Sequence, residues 1–400
     1  MIKFNKVIRS IMQTESSLQK SLLSGLALAT TLATTLALSA VPANAQEEIK
    51  IGVPLSLSGP VAFAGTKMRD AMELAFEEIN GSDFLGGKKL VPVWVDDRSS
   101  QPQAISVTQQ LALRDQVSVI AGYTASNICL AALPVAQELK VPTINSDCVV
   151  PGLGEVGDYV YNAVAPSADF VRQLITNFAA ANKDVKSAAI LYQRENPVFV
   201  GLEKLMTEVF TQNGIEVVAA EAVTSGADAD FSAQLTSIAS KKPGVLAILL
   251  IGGQVGPAMV QARQAGLADT IFMGEQNFDS IEVRNVAGPN AAGSVYPSHW
   301  FAASPVEQNK KFVAAYEARY GSTPDTFSAN GYSTVWVLAQ IIKKAGSGDR
   351  EAIKKALEEA GDMDTIFGID GKTAFENRVV KLTPFFFQMQ ANGTVKQINY

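Results

Sequence analysis

Histidine is nearly missing from this chain: His299 is the only one in 400 residues. Neither G-x-S-x-G nor H-E-x-x-H occurs. Serine-hydrolase and zinc-protease chemistry, which need a histidine beside a nucleophile or two on a metal, therefore have no residues to work with. His299 itself stands in "YPSHW", beside Trp300 at an expected crossover, and reads as structural. Cysteine is scarce as well, with two residues, so thiolate metal clusters and disulfide-dense scaffolds are excluded. Positive charge is short: 33 Lys+Arg against 39 Asp+Glu give a formal net charge of −6, which argues against nucleic acid as a partner. Past residue 45 the chain also lacks any long apolar run. The strongest, "VLAILLIGG" at 245–253, is too short to span a bilayer and reads as a buried strand.

The first 45 residues differ from the rest. Lys3, Lys6, Arg9 and Lys20 precede the uncharged "SLLSGLALATTLATTLALSA", and "VPANA" follows with small residues at Ala43 and Ala45. That is the order of a secretory signal, with cleavage expected near Ala45. A retained anchor is the alternative, but the Ser and Thr content and the Ala-rich end argue against it. No cysteine at the cleavage site supports a lipid anchor, and the long basic region leaves Met12 as a second candidate start. Without residues 1–45 the chain keeps 29 Lys+Arg and 38 Asp+Glu, a net charge of −9. An exported, soluble mature protein is expected, and the 47% hydrophobic and 18% charged composition of the 400-residue chain allows two domains.

After Gln46 strands and helices alternate. "IKIGVPL", "KLVPVWVDD", "VSVIAG" and "VPTINS" are β-rich, with helical stretches near 65–80, 101–113 and 126–140 between them. The alternation predicts a parallel sheet wrapped by helices. A second series is read from "YVYNAV" on, through the strands "SAAILYQ", "IEVVAAEAV", "VLAILLIGG" and "TIFMGEQ" and the helices between them. The predicted fold class is α/β, two doubly wound parallel-sheet units in tandem. Beyond "SVYPSHWF" the chain turns helical, and it closes on a hairpin with Asn-Gly at its turn.

The opening stretch "IKIGVPLSLSGPVAFAG" breaks from a strand into small residues before a helix, the order of a phosphate loop. The one formal dinucleotide fingerprint, "GLGEVG" at 152–157, has the wrong context: Pro151 precedes it and a β-like run follows, so a plain turn is the better reading. Asp96-Asp97 could hold a cation, but loop carboxylates capping the helix that starts near Gln101 are the commoner arrangement. No ligand spacing supports a metal, and no cofactor is expected.

In a doubly wound sheet, strand ends and helix starts share one edge, and ligands bind there. Cys129 opens a helix at that edge and Cys148 follows the next strand, so a Cys129–Cys148 disulfide is expected, with two unpaired buried thiols as the alternative. Ser126 can cap that helix or meet a ligand, and the two readings stand level. The loop after the first strand can lay Phe63 against a ligand instead of cradling a phosphate.

Together these stretches resemble the branched-chain amino-acid-binding branch of the periplasmic binding proteins, the receptors of ABC importers. The similarity runs over nearly all of the mature chain. "IKIGVPLSLSGPVAFAG", "DAMELAFEEINGSDFLGGKKLVPVWVDD" and "AGYTASNICLAALPVAQELKVPTIN" resemble the family's first lobe; "DFSAQLTSI", "VQARQAGL" and "FMGEQ" fit its second. The resemblance implies a type I periplasmic binding fold: two lobes joined by three crossovers, closing on one small molecule, without catalysis. It implies a signal peptide over 1–45, one lobe from 46–164 plus 300–375, and another from 165–299 plus 376–400. The ligand's carboxylate is then expected at Ser126 and the loop Asp147, Cys148 and Val149, with Phe63, Tyr123 and Phe327 in the ligand-facing set.

The ammonium side departs from the pattern. Pro197, Val198 or Phe199 stands where the family has a tyrosine, Gln254 replaces an aromatic, and Gln276 falls where a glutamate is expected, with Glu275 adjacent. An α-ammonium then lacks a dedicated anion unless Glu275 or Asp147 turns inward, and Gln276→Glu would supply one. The expected role is a monomeric periplasmic receptor that hands a hydrophobic amino acid to inner-membrane permease subunits. A neutral amide, an aromatic or short organic acid, or a chemosensory role are alternatives; an exported enzyme is disfavoured.

Overall fold

A computed structural model describes residues 47–224, 230–368 and 370–399. The expected leader over residues 1–45 and its cleavage site lie outside them. The first sheet holds five parallel strands, β1 (Glu48–Leu55), β2 (Lys89–Asp96), β3 (Val119–Gly122), β4 (Thr143–Asn145) and β5 (Val160–Asn162), in the order β5-β4-β3-β1-β2. The second holds β6 (Ser187–Gln193), β7 (Glu216–Val223), β8 (Val245–Leu249), β9 (Ile271–Met273) and β10 (Val295–Ser298), in the order β10-β9-β8-β6-β7. The two sheets share one topology. In each, the first strand lies between the second and the third, so the loops leaving it and the third strand diverge to opposite faces and open a crevice.

The strands follow from their sequences. Ile49, Ile51, Val53 and Leu55 of β1 are buried, and every residue of β8 is, as expected of strands covered by helices on both faces. Helix Ala62–Gly81 buries Met68, Met72, Ala75 and Ile79, a stripe at helical spacing. The long helix Thr326–Ala345, which packs on it, is buried through most of its length.

The chain passes between lobes three times: after β5, after β10, and after a small hairpin at residues 375–380. Two expectations need correction here. The strand in "YVYNAV" closes the first sheet instead of opening the second, because β5 pairs with β4. The hairpin Phe375–Glu376 and Val379–Val380 also belongs to the first sheet, through Val379 and Asn162, so the last passage falls after Val380 and not at 376. The closing hairpin, Phe385–Met389 with Val395–Ile398, adds two antiparallel strands beside β10, and Gly393 takes φ 79° in its turn.

Candidate functional site

The C-terminal edges of the two sheets meet at a cavity of ≈70 Å³. At about 10–15 Å³ per water on this scale, it takes roughly five waters or a molecule of comparable bulk. Nearly all of its lining comes from the loops and helix starts that follow strands: Val61, Phe63 and Ala64 after β1, Thr124 to Asn127 after β3, and Asp147 and Val149 after β4. From the other lobe come Asn196, Val198 and Phe199 after β6, Ile251 and Gly252 after β8, and Glu275, Gln276 and Asn277 after β9. Phe327, from the start of helix Thr326–Ala345, completes the wall.

The glycine-containing loop is held open by carboxylates. Asp96 accepts the N–H groups of Leu57 (2.9 Å) and Ser58 (3.2 Å) and the Ser58 hydroxyl (2.6 Å); Asp97 accepts the Ser56 hydroxyl at 2.5 Å. The Asp pair thus pins the ligand-side loop. It does not cap helix Gln101–Gln109, which has no side-chain cap. Gly65 is obligatory here, since a Cβ would stand 2.0 Å from the Ser56 carbonyl oxygen. Phe63 then crosses the cleft, edge-on to Phe327 at 5.6 Å, and its ring occupies the space a Cβ on Gly252 of the other lobe would need.

The β4 loop is fixed from three sides. Asn145 accepts the Cys148 N–H at 2.8 Å and donates to Asn162 at 2.6 Å, while Asn162 donates to the Cys148 carbonyl at 2.7 Å. Cys148 is disulfide-bonded to Cys129, Cα to Cα 6.4 Å, as the topology leads one to expect. The Ser126 hydroxyl accepts the Val149 N–H at 3.2 Å. Ser126 is therefore the first helical residue and not the cap, which is Ala125 with no side-chain bond. Its hydroxyl proton is left to donate toward the cavity, beside first-turn N–H groups that have no intrahelical acceptor.

Two carboxyl groups face this space. Glu275 is 3% exposed, accepts the Asn277 N–H at 3.2 Å, and is pushed up to about 7, chiefly by burial. Asp147, 6% exposed, is raised well above the usual carboxylate range, first by burial and then by the charges of Glu275 and Asp325, against a 2.8 Å donation from Asn330. Among the described residues neither has a Lys or Arg within ion-pair distance. Gln276 adds a buried carbonyl oxygen with no hydrogen-bond partner. His299 stands behind: its Nε2 meets the Asn330 oxygen at 2.7 Å, burial lowers it to about 4, and it is not part of this cavity's lining. Its structural role stands.

Of the residues singled out from sequence, Phe63, Ser126, Asp147, Val149, Phe199, Glu275, Gln276 and Phe327 line the cavity. Three do not. Tyr123 is fully buried behind it, with its hydroxyl 2.7 Å from that of Thr108; Cys148 is sealed in the disulfide; and Gln254 lines a neighbouring space. Sequence reasoning missed Thr124, Asn196 and Ile251. Asn196 carries the signal Asn-Pro at a helix start, and its side chain accepts the Val198 N–H at 3.0 Å. The "GLGEVG" stretch is a turn whose Gly154 carbonyl accepts from Arg378. Among the described residues no His, Cys, Asp and Glu group could hold a metal, and no helix is long and apolar enough to cross a membrane.

Paired α/β lobes with a small-molecule cavity between their strand ends define a hinged solute-binding architecture. Residues 48–394 match the model of the periplasmic binding protein family, and the chain belongs to that family. A leucine-, isoleucine-, valine-, threonine- and alanine-binding protein of Pseudomonas aeruginosa is 27% identical over 317 residues, covering 78% of this chain and 83% of that one. A crystal structure of a leucine-binding protein from Thermotoga maritima superposes with a TM-score of 0.79 at 26% identity, covering 88% of this chain and 98% of the other. A branched-chain amino acid transporter substrate-binding protein of Streptococcus pneumoniae in complex with isoleucine gives 0.78 at 26%, with the same coverage.

Proposed function

We propose that the protein is the solute-binding component of an ABC importer, and that its cleft captures a small α-amino acid with an apolar side chain. The observation that carries this is the acceptor set: Asp147 and Glu275, buried without a cationic partner among the described residues, with the unpaired Gln276 oxygen beside Glu275. An ammonium has three N–H donors and one positive charge. It satisfies the set and offsets the desolvation of the acids. The ligand's carboxylate is received by the Ser126 hydroxyl and the N-terminus of helix Ser126–Glu138. Phe63, Phe199, Phe327 and Val198 receive the side chain. The amino acids named for the relatives agree with this assignment.

The same acceptors disfavour the alternatives from sequence. A plain aromatic or short acid, like a neutral amide, brings no ammonium to pair with Asp147 and Glu275 and offset their desolvation. The cavity lining holds no nucleophile with a base beside it, which favours capture over turnover. Export, with residues 1–45 as leader, and delivery to membrane permease subunits complete the proposal; uptake by cells lacking the protein separates transport from sensing. The direct test is calorimetry of the ligand-free protein with leucine, isoleucine, valine and benzoate. Binding of the amino acids without benzoate is expected; benzoate alone binding would overturn the assignment.

A further inference from the structure

Behind the cavity a hydrogen bond passes from one lobe to the other between two residues that do not line it. Asp279 ends the short helical turn Gln276–Asp279 of the second lobe, and Thr326 opens helix Thr326–Ala345 of the first. The Thr326 hydroxyl donates to one oxygen of the Asp279 carboxylate. The other oxygen accepts the Tyr296 hydroxyl at 2.7 Å and Arg284 Nη1 at 3.2 Å. Tyr296 and Arg284 belong to the lobe of Asp279 itself, so its charge is paired and its orientation held without help from the first lobe. With its one proton given to Asp279, the Thr326 oxygen accepts from the Ser298 hydroxyl at 3.1 Å.

Both ends of the crossing bond lead to the cavity. On the second lobe, Glu275 caps the turn that Asp279 ends, and Glu275, Gln276 and Asn277 all line the cavity. On the first, Phe327 follows Thr326 directly and lines the same cavity. Asn330, one helical turn past Thr326 on the same face, donates to the Asp147 carboxylate at 2.8 Å. Thr326 and Asn330 are fully buried, and a close-packed interior moves such residues only together with their neighbours. A ring of contacts therefore runs from Asp147 to Asn330, along the helix to Thr326, across to Asp279, and back along the turn to Glu275. Its one step between lobes is the bond of Thr326 to Asp279.

We infer that Asp279 is a positioning residue for ligand capture: through Thr326 it holds Asp147 and Glu275, one from each lobe, at the spacing a single ammonium bridges, and it does so without touching the ligand. The inference rests on the amino-acid reading of the cavity. A carboxylate suits this place because a hydrogen bond to a charged acceptor is shorter and stronger than a neutral one, and the guanidinium of Arg284 offsets its desolvation.

The test is calorimetry with leucine on the wild type and on variants, with a ligand-free melt beside each. Thr326→Val removes the crossing donor at nearly constant shape and should weaken leucine binding at least about fivefold. Thr326→Ser keeps the hydroxyl and should restore the affinity. Ser298→Ala removes the neighbouring hydroxyl, leaves Asp279 its donor, and should bind leucine as the wild type does. Asp279→Asn should weaken binding too, and it carries the test alone if Thr326→Val does not fold. Combined with Thr326→Val it should weaken binding no further, since both act through one bond. Unchanged affinity in either single variant, an equal loss in Ser298→Ala, additive losses in the double variant, or losses matched by a fall in the ligand-free melt would overturn the role of Asp279 and leave the amino-acid reading intact. A wild type that binds no amino acid would overturn both.

Discussion

Glu275 is where charge and solvation meet most directly. Burial lifts its carboxyl to about 7, so near neutral pH the ligand-free site is a mixture of protonated and ionised forms. An ammonium needs the ionised form. Affinity for an amino acid should therefore rise as pH increases from 5.5 to 8, with a proton released on binding below about 7. Calorimetry in two buffers of different ionisation enthalpy measures that proton, and a pH-independent Kd would remove Glu275 from the site. The same acids change the expectation for Gln276. A third carboxyl there would raise the other two further, so Gln276→Glu should weaken amino-acid binding, the reverse of what the sequence suggested for a site lacking an anion. Ser126→Ala removes both the ligand's donor and the acceptor of the Val149 N–H. We expect a loss of about 1 kcal/mol or more in binding.

Among the elements, the strand-end loops are what must be held still. The β4 loop is tied by the Asn145 and Asn162 side chains and by the Cys129–Cys148 bond. Closing a loop of this length contributes roughly 3 kcal/mol in the chain-entropy model. Reductant should lower the midpoint of thermal unfolding and also weaken ligand binding, because Val149 lines the cavity; an unchanged melt would mean that the asparagines alone fix the loop. The β1 loop depends on Gly65. With backbone oxygen only 2.0 Å from where a Cβ would go, Gly65→Ala must displace the helix or the loop, at a cost of about 1–3 kcal/mol. Denaturant midpoints would register it, and no shift would show that the close approach relaxes freely.

Across the whole molecule, burial raises three acids: Glu275 and Asp147 in the cleft, and Asp325 at the N-terminus of helix Thr326–Ala345. Glu275 is raised to about 7 and Asp325 to about 6 by burial, and Asp147 is raised well above its usual range. A carboxyl raised on folding binds more protons in the native than in the unfolded chain, so stability falls as pH rises between the unfolded and folded values. The ligand-free protein should melt at a higher temperature at pH 5.5 than at pH 7.5 as far as these groups govern it. A bound amino acid should narrow or reverse that difference by pairing the charges, and it adds roughly 2.7 kcal/mol at 100 times its Kd. Melts at both pH values, with and without leucine, check the sign.

By itself the sequence led to the two tandem α/β units, to β1 within one residue, to the start of β8, whose expected run to Gly253 stops at Leu249 because Gly252 opens a helix, and to the expected pairing of Cys129 with Cys148. Those depend on local periodicity and on the rule that strand ends and helix starts share an edge. Periodicity alone put "YVYNAV" in the second series, and the last change of lobe was expected too early, because "YVYNAV" and the hairpin after Phe375 are short β-rich runs that either sheet could pair. Only the tertiary structure could tell Glu275 and Asp147 apart from ordinary loop acids, since facing the cavity depends on how the loops after β4 and β9 turn. The same holds for Asp279: one more loop acid in the chain, it becomes notable only when folding brings Thr326 of the other lobe against it.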